Sequence, residues 1–180
     1  MDAVTDTTVT SAGSVYDTRV ERTFGFIDLS GFTRFTEEHG DAEAVKVLAR
    51  FRAAVRDVSA RRAVRVAKWL GDGAMLVSIE REPLVEAVVD IQHRISDCAS
   101  PLPLRAGIAV GPVMMFEGDD YIGLAVNLAA RLCDIAPPGK VIAPADIVSS
   151  LMVNTVAVPM GTASIKGLSA PVDLVAIDWA

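Results

Sequence analysis

Lys68-Trp69-Leu70-Gly71-Asp72-Gly73 stands between two apolar, β-prone runs, residues 63–69 and 74–79. An aspartate between two glycines at such a junction predicts a tight hairpin turn: glycine adopts the positive φ these turns need, and aspartate accepts backbone hydrogen bonds within them. Working outward, Thr23-Phe24-Gly25-Phe26-Ile27-Asp28-Leu29 reads as a strand apolar on both faces and ending in a carboxylate. Ser30-Gly31-Phe32-Thr33 should then start a helix, whose unpaired N–H groups and positive dipole end form an anion cradle. Over residues 41–62, Val45, Leu48, Phe51, Val55 and Val58 recur at three- and four-residue intervals, which predicts a long amphipathic helix. Lys46, Arg50, Arg52, Arg56, Arg61 and Arg62 form its solvated side.

Beyond the hairpin, Pro83 opens a helix that buries Leu84, Val88, Ile91 and Ile95 and leaves His93 on the polar face. Residues 102–110 and 112–116 read as two strands separated at Gly111-Pro112, followed by a turn at 117–120. Residues 123–135 read as a helix with Leu124, Leu128, Leu132 and Ile135 on its buried stripe; Asn127 and Arg131, four apart, share another face. The remainder predicts a strand at 141–143, a short helix at 146–151, and strands at 153–158 and 172–177. Residues 1–20 are poor in large apolar side chains and read as a disordered tail or linker, leaving one domain over 21–180.

Strand, long helix, hairpin, helix, strand is the order of the α+β split βαβ, or ferredoxin-like, plan with C-terminal additions. That plan lays the first strand antiparallel to the second strand of the hairpin, so Asp28 at the end of one meets Asp72 in the turn of the other. Two facing carboxylates without histidine or cysteine form a hard oxygen environment suited to Mg²⁺ or Mn²⁺, and the cradle beside them suits phosphate. In the plainer alternative, Asp28 caps the following helix and Asp72 only serves the turn.

Bulk properties narrow the partners. A net charge of −6 opposes a broad grip on nucleic acid or anionic lipid. No apolar run approaches the roughly 18 residues of a membrane span, and residues 1–19 lack a secretory pattern. Cys98 and Cys133 have no paired spacing and read as buried thiols of a cytoplasmic protein.

The chain also resembles the class III nucleotidyl cyclases, in the bacterial type with a short dimerisation arm. The resemblance covers about residues 22–178 and rests on Phe26-Ile27-Asp28-Leu29-Ser30-Gly31-Phe32-Thr33, Lys68-Trp69-Leu70-Gly71-Asp72-Gly73, Arg105-Ala106-Gly107-Ile108-Ala109-Val110-Gly111-Pro112-Val113, Asp120-Tyr121-Ile122-Gly123, Val126-Asn127-Leu128-Ala129-Ala130-Arg131 and Ile165-Lys166-Gly167. It implies the class III cyclase catalytic fold and an adenylyl cyclase that converts ATP to 3′,5′-cyclic AMP and pyrophosphate. By resemblance, Asp28, Asp72 and the Leu29 carbonyl hold two divalent ions per site, Mg²⁺ or Mn²⁺. The N–H groups of Ser30, Gly31, Phe32 and Thr33 cradle phosphate, and Lys166 contacts the outer phosphates. Asn127 orients the ribose and Arg131 stabilises charge on the α-phosphoryl group.

Lys68 and Asp120 match the base-reading positions. A lysine that only donates and an aspartate that only accepts complement adenine at N1 and the 6-amino group, whereas guanine reverses both edges. In the family these residues and the metal carboxylates come from different subunits, so the resemblance implies a homodimer with two shared sites. Met114, Met115 and Phe116, in the short arm, read either as interface contacts or as strand core. The alternative function is a catalytically silent, cyclase-like nucleotide-binding regulatory module.

Overall fold

The computed structural model describes residues 19–98, 100–117 and 120–180. The expected tail lies outside them up to residue 18, and the first strand, β1 (Arg19–Leu29), begins there. It is followed by α1 (Phe32–His39), α2 (Asp41–Arg61), β2 (Arg65–Leu70), β3 (Gly73–Ser78), α3 (Arg81–Asp97), β4 (Leu104–Phe116), β5 (Asp120–Ile122) and α4 (Leu124–Ile135). The chain closes with β6 (Val141–Pro144), a 3₁₀ turn at Ala145–Ile147, β7 (Thr155–Ala163) and β8 (Val172–Trp179).

The strands form one eight-stranded sheet in the order β2-β3-β1-β4-β6-β8-β7, with β5 paired to β4. The first four positions are those of the split βαβ plan, with β1 antiparallel to both β3 and β4. Alternation along β1 divides its side chains between two layers. Ile27 and Leu29 enter the main core with Phe51, Val55 and Val58 of α2 and Leu84, Val88 and Ile91 of α3. Phe24 and Phe26 enter a second cluster beneath α4 with Met75, Val77, Ala125 and Ala129.

Local patterns gave way to tertiary packing in several places. The two strands read around Gly111-Pro112 are one continuous β4 of 13 residues. Its ladder with β1 runs past Pro112, while the ladder with β6 ends at Gly107 and that with β5 starts at Met114, so Pro112 sits where β4 is an edge and proline is tolerated. The helix expected over 146–151 shrinks to the 3₁₀ turn, because Ser149 Oγ and Glu86 Oε1 take the N–H groups of Leu151 and Val153.

Helix α4 buries Ala125, Ala129, Leu132 and Cys133, leaving Leu124 and Ile135 exposed, contrary to the expected leucine stripe. The reason is contact with the sheet: a Cβ on Gly107 would lie 2.2 Å from the Cys133 nitrogen and 2.4 Å from the Ala129 carbonyl oxygen. Helix and strand meet backbone to backbone there, and only small side chains fit between them. Similarly, Val45 of α2 is exposed while Ala44 and Val47 turn inward. Cys133 is buried as expected, but Cys98 is exposed at the end of α3. Among the described residues no helix is long and apolar enough to cross a membrane.

Candidate active site

The hairpin turn consists of Gly71 and Asp72, with Gly71 at φ 65°. In the sheet register Asp28 lies opposite Gly73 on one side and Arg105 on the other. The Leu29 N–H donates to the Asp72 carbonyl at 3.3 Å, tying the turn to the end of β1. The two carboxylates therefore lie together, as the split plan requires. Burial, and next the negative charge of Asp28, push the Asp72 carboxyl above its usual range.

Sequence reasoning did not single out the cation that balances this pair. Arg105 Nε and Nη2 donate to Asp28 Oδ2 at 3.0 and 2.7 Å, and Nη1 donates to the Asp134 carbonyl at 3.0 Å. The signal was a lone arginine in an otherwise apolar strand, opposite Asp28 once register is known. Asp28 and Arg105 line a cavity of about 170 Å³ with Leu70, Gly73, Cys133 and Asp134. Burial, then the Asp28 charge, pushes the Cys133 thiol up to about 12, which keeps it a neutral wall of that cavity.

Beyond Asp28, Gly31 adopts the left-handed region at φ 83° and caps α1. The first bond inside this helix runs from the Phe35 N–H to the Gly31 carbonyl at 3.0 Å, so the preceding N–H groups have no intrahelical acceptor. The expected cradle is shorter than Ser30–Thr33, because the Ser30 N–H is spent on the Pro103 carbonyl at 2.9 Å. Gly31, Phe32 and Thr33 remain. The oxygen donors available here, two carboxylates and the Leu29 carbonyl, fit a hard divalent ion, which would offset the smaller, like-charge part of the Asp72 shift that comes after burial.

A second group gathers on another surface. Lys68 Nζ bonds the Asp120 carboxylate, and both side chains are about half exposed. A β-bulge makes this possible: the register shifts between Val66 and Lys68, and Lys68 pairs with Met75, whose side chain lies on the α4 side of the sheet. Next to Asp120, Tyr121 packs edge-on against Phe24 at 5.2 Å and anchors β5. Asn127, Arg131 and Lys166 line a cleft of about 380 Å³ with Gly167 and Leu168. Lys166 is carried there by its buried neighbour Ile165, which packs with Leu132, Ile142 and Leu174. This cleft and the Asp28 cavity are separate but have Ala130 and Asp134 in common.

The structure thus brings the candidate residues together as a carboxylate pair beside a helix N-terminus, a Lys68–Asp120 pair, and an Asn127–Arg131–Lys166 cleft. Met114, Met115 and Phe116 are all exposed, which removes them from the core.

Comparison with known proteins identifies the family and the fold. The family model for the adenylate and guanylate cyclase catalytic domain matches residues 16–175. An uncharacterized protein of Mycobacterium tuberculosis is 40% identical over 162 residues, 89% of this chain and 42% of that protein. An adenylate cyclase of Streptomyces coelicolor is 34% identical over 118 residues, 66% of this chain and 31% of that protein. The chain therefore spans less than half the length of these relatives. In fold, it is similar to the crystal structure of the adenylyl cyclase CyaB from P. aeruginosa, with a TM-score of 0.77 and 24% identity over 90% of this chain and 95% of that one. The chain belongs to the adenylate and guanylate cyclase catalytic domain family.

Proposed function

We propose that this domain is an adenylyl cyclase that converts ATP to 3′,5′-cyclic AMP and pyrophosphate at two sites shared across a homodimer. The observation that carries the choice of base is the Lys68–Asp120 pair, a donor and an acceptor side by side on one accessible surface. Adenine inserted between them accepts from Lys68 at N1 and donates to Asp120 from its amino group, replacing one ion pair with two charge-assisted hydrogen bonds. Guanine presents the reverse edges and leaves both side chains unpaired, a mismatch that discriminates strongly.

Asp28, Asp72 and the Leu29 carbonyl hold the divalent ions, Mg²⁺ or Mn²⁺. When bound, these ions supply charge neutralisation on the phosphates and acidify the ribose 3′-hydroxyl. Arg105 holds the Asp28 carboxylate in place through two hydrogen bonds to one oxygen, leaving the other oxygen available. The N–H groups of Gly31, Phe32 and Thr33 receive phosphate oxygens at the positive end of α1. Asn127 orients the ribose so that its 3′-oxygen lies in line with the α-phosphorus. That oxygen forms the new P–O bond as the bond to the pyrophosphate bridge breaks and the hydroxyl proton is released. Arg131 offsets the charge that builds on the α-phosphoryl oxygens, and Lys166 steadies the departing pyrophosphate.

The base-reading pair and the Asn127–Arg131–Lys166 cleft serve the partner's metal carboxylates. Exposed Leu70, Met114, Met115, Phe116, Ile122 and Leu124 supply the apolar surface for that association. The test is incubation of purified protein with ATP or GTP, each with Mg²⁺ or Mn²⁺, and chromatographic detection of cyclic products. Cyclic AMP from ATP in excess of cyclic GMP from GTP is expected. ATP binding without product would leave a nucleotide-binding module, and preferential cyclic GMP would overturn the base assignment.

A further inference from the structure

The arginines of residues 41–62 read from the sequence as a solvated face, yet Arg62 pairs with Glu86 and Asp90 of α3, and Arg52 and Arg56 are committed to an aromatic ring. Arg52 and Arg56, one helical turn apart, place their guanidinium carbons 5.1 and 5.2 Å from the centre of the Trp69 ring on β2. Trp69 in turn packs edge-on against buried Phe51, with ring centres 6.4 Å apart. Arg52 alone of the two goes further: its Nη2 donates to the Gly71 carbonyl at 3.0 Å. Its Nε is buried and has no hydrogen-bond partner among the described residues. A guanidinium that forgoes one bond to reach this carbonyl is held there by stacking and by the carbonyl itself.

Gly71 immediately precedes Asp72. The turn has glycine on both sides of the aspartate, so its backbone is the least restrained kind available. Two backbone contacts restrain that turn. The Leu29 N–H holds the Asp72 carbonyl from the sheet side, and Arg52 holds the Gly71 carbonyl from the helix side.

We infer that Arg52 is a positioning residue that clamps the Gly71–Asp72 turn to α2 and so holds the Asp72 carboxylate where it can share a divalent ion with Asp28. The inference rests on the reading of Asp28 and Asp72 as the metal carboxylates. Arg52 meets Trp69 and the Gly71 carbonyl, so it acts through the turn. A lysine reproduces the charge and can reach the carbonyl, but it lacks the planar group that Trp69 orients.

The test uses the whole chain and Mn²⁺ alone, with bound and free ion separated by the electron paramagnetic resonance signal of free Mn²⁺. Arg52→Met keeps the aliphatic stem and removes the donor; Arg56→Met removes the neighbouring Trp69 contact but no bond to the turn. Arg52→Met is expected to weaken Mn²⁺ binding about tenfold, the scale of one charge-assisted hydrogen bond. Arg52→Lys is expected to recover part of that loss, and Arg56→Met to stay within about twofold of the parent. In turnover, Arg52→Met raises the half-saturating Mn²⁺ by the same factor while kcat at saturating Mn²⁺ stays within about threefold, because excess metal recruits the loosened turn.

Unchanged Mn²⁺ affinity in Arg52→Met, even with a lowered melting temperature, overturns the inference and leaves the metal site standing. An equal loss in Arg56→Met overturns it as well, by assigning the effect to Trp69 packing. If Arg52→Met does not fold, Arg52→Lys decides: full parental affinity overturns the role of the fork, and an intermediate loss supports it. A parent chain that binds no Mn²⁺ overturns the metal-site reading together with this inference.

Discussion

Arg105 places two of its nitrogens on a single oxygen of Asp28, at 3.0 and 2.7 Å, across adjacent strands of the sheet. The guanidinium thus supplies, within the chain, positive charge where a divalent ion is proposed to act. Replacing it by leucine leaves the Asp28 and Asp72 carboxylates facing each other uncompensated. Arg105→Leu is expected to lose about 1–3 kcal/mol of stability at neutral pH without metal, and Mn²⁺ is expected to restore part of it. Denaturant melts with and without Mn²⁺ measure both effects; a variant as stable as the parent and insensitive to Mn²⁺ would contradict the account.

The raised pKa of Asp72 has a definite sign in stability. A carboxyl whose folded pKa exceeds its unfolded value binds protons more readily when folded. Its ionisation therefore costs stability as pH rises through the unfolded value of about 3.9, and the cost is complete above the folded pKa. Asp72→Asn is expected to be more stable than the parent at pH 7.5 in the absence of metal, with that advantage gone near pH 3. Urea melts at the two pH values test this, and Mn²⁺ affinity of the parent should fall as pH drops toward the raised pKa.

If the sites are shared between subunits, two dead chains can rescue each other. Asp28→Ala and Arg131→Ala homodimers are expected to be inactive. An equal mixture that re-assorts freely gives half heterodimers, each with one intact site of two, so about a quarter of parental activity should return. Native mass spectrometry verifies the mixing, and no recovery in verified heterodimers counts against sites built from two chains.

Base preference follows the Lys68–Asp120 pair. Lys68→Glu combined with Asp120→Ser reverses the donor side and removes the carboxylate. The expected result is a drop of at least about a hundredfold in kcat/KM for ATP and a shift of the ATP-to-GTP ratio toward GTP. Parallel assays of both nucleotides measure it; an unchanged ratio would refute the assignment.

Gly107 tests the packing that orients α4. An added methyl group would sit 2.2 Å from the Cys133 nitrogen and 2.4 Å from the Ala129 carbonyl, both of them backbone atoms. Gly107→Ala is expected to destabilise the domain by about 3 kcal/mol or more, because a helix rather than a side chain must move. A denaturant melt within about 0.5 kcal/mol of the parent would show that α4 shifts easily.

Much of this site was legible residue by residue. Asp28 ended a strand and Asp72 stood in a glycine-flanked turn, and their meeting followed from the order of elements, since a split βαβ sheet has to lay β1 beside β3. The expectation of hard divalent ions over zinc came from two carboxylates in motifs without histidine or cysteine; the structure adds Cys133 to the wall of the Asp28 cavity, where burial keeps its thiol neutral. The α4 stripe was misread because spacing alone favours large apolar residues, and nothing local reveals that Gly107 lets the helix backbone touch the sheet.

The amino-acid sequence by itself determined the order of the elements in the split βαβ core, the kinds of donor available, and the adjacency of the two aspartates. Those depend on periodicity and connectivity, which are local or topological. Tertiary structure decided the rest: the bulge that turns Lys68 toward Asp120, the register that sets Arg105 against Asp28, and the clamp of Arg52 on Gly71. Each of these joins residues at least 19 positions apart through an offset of about one residue or one side-chain rotamer. Register, bulge and rotamer are settled by how the two faces of the sheet pack, and that is a property of the assembled core rather than of any segment.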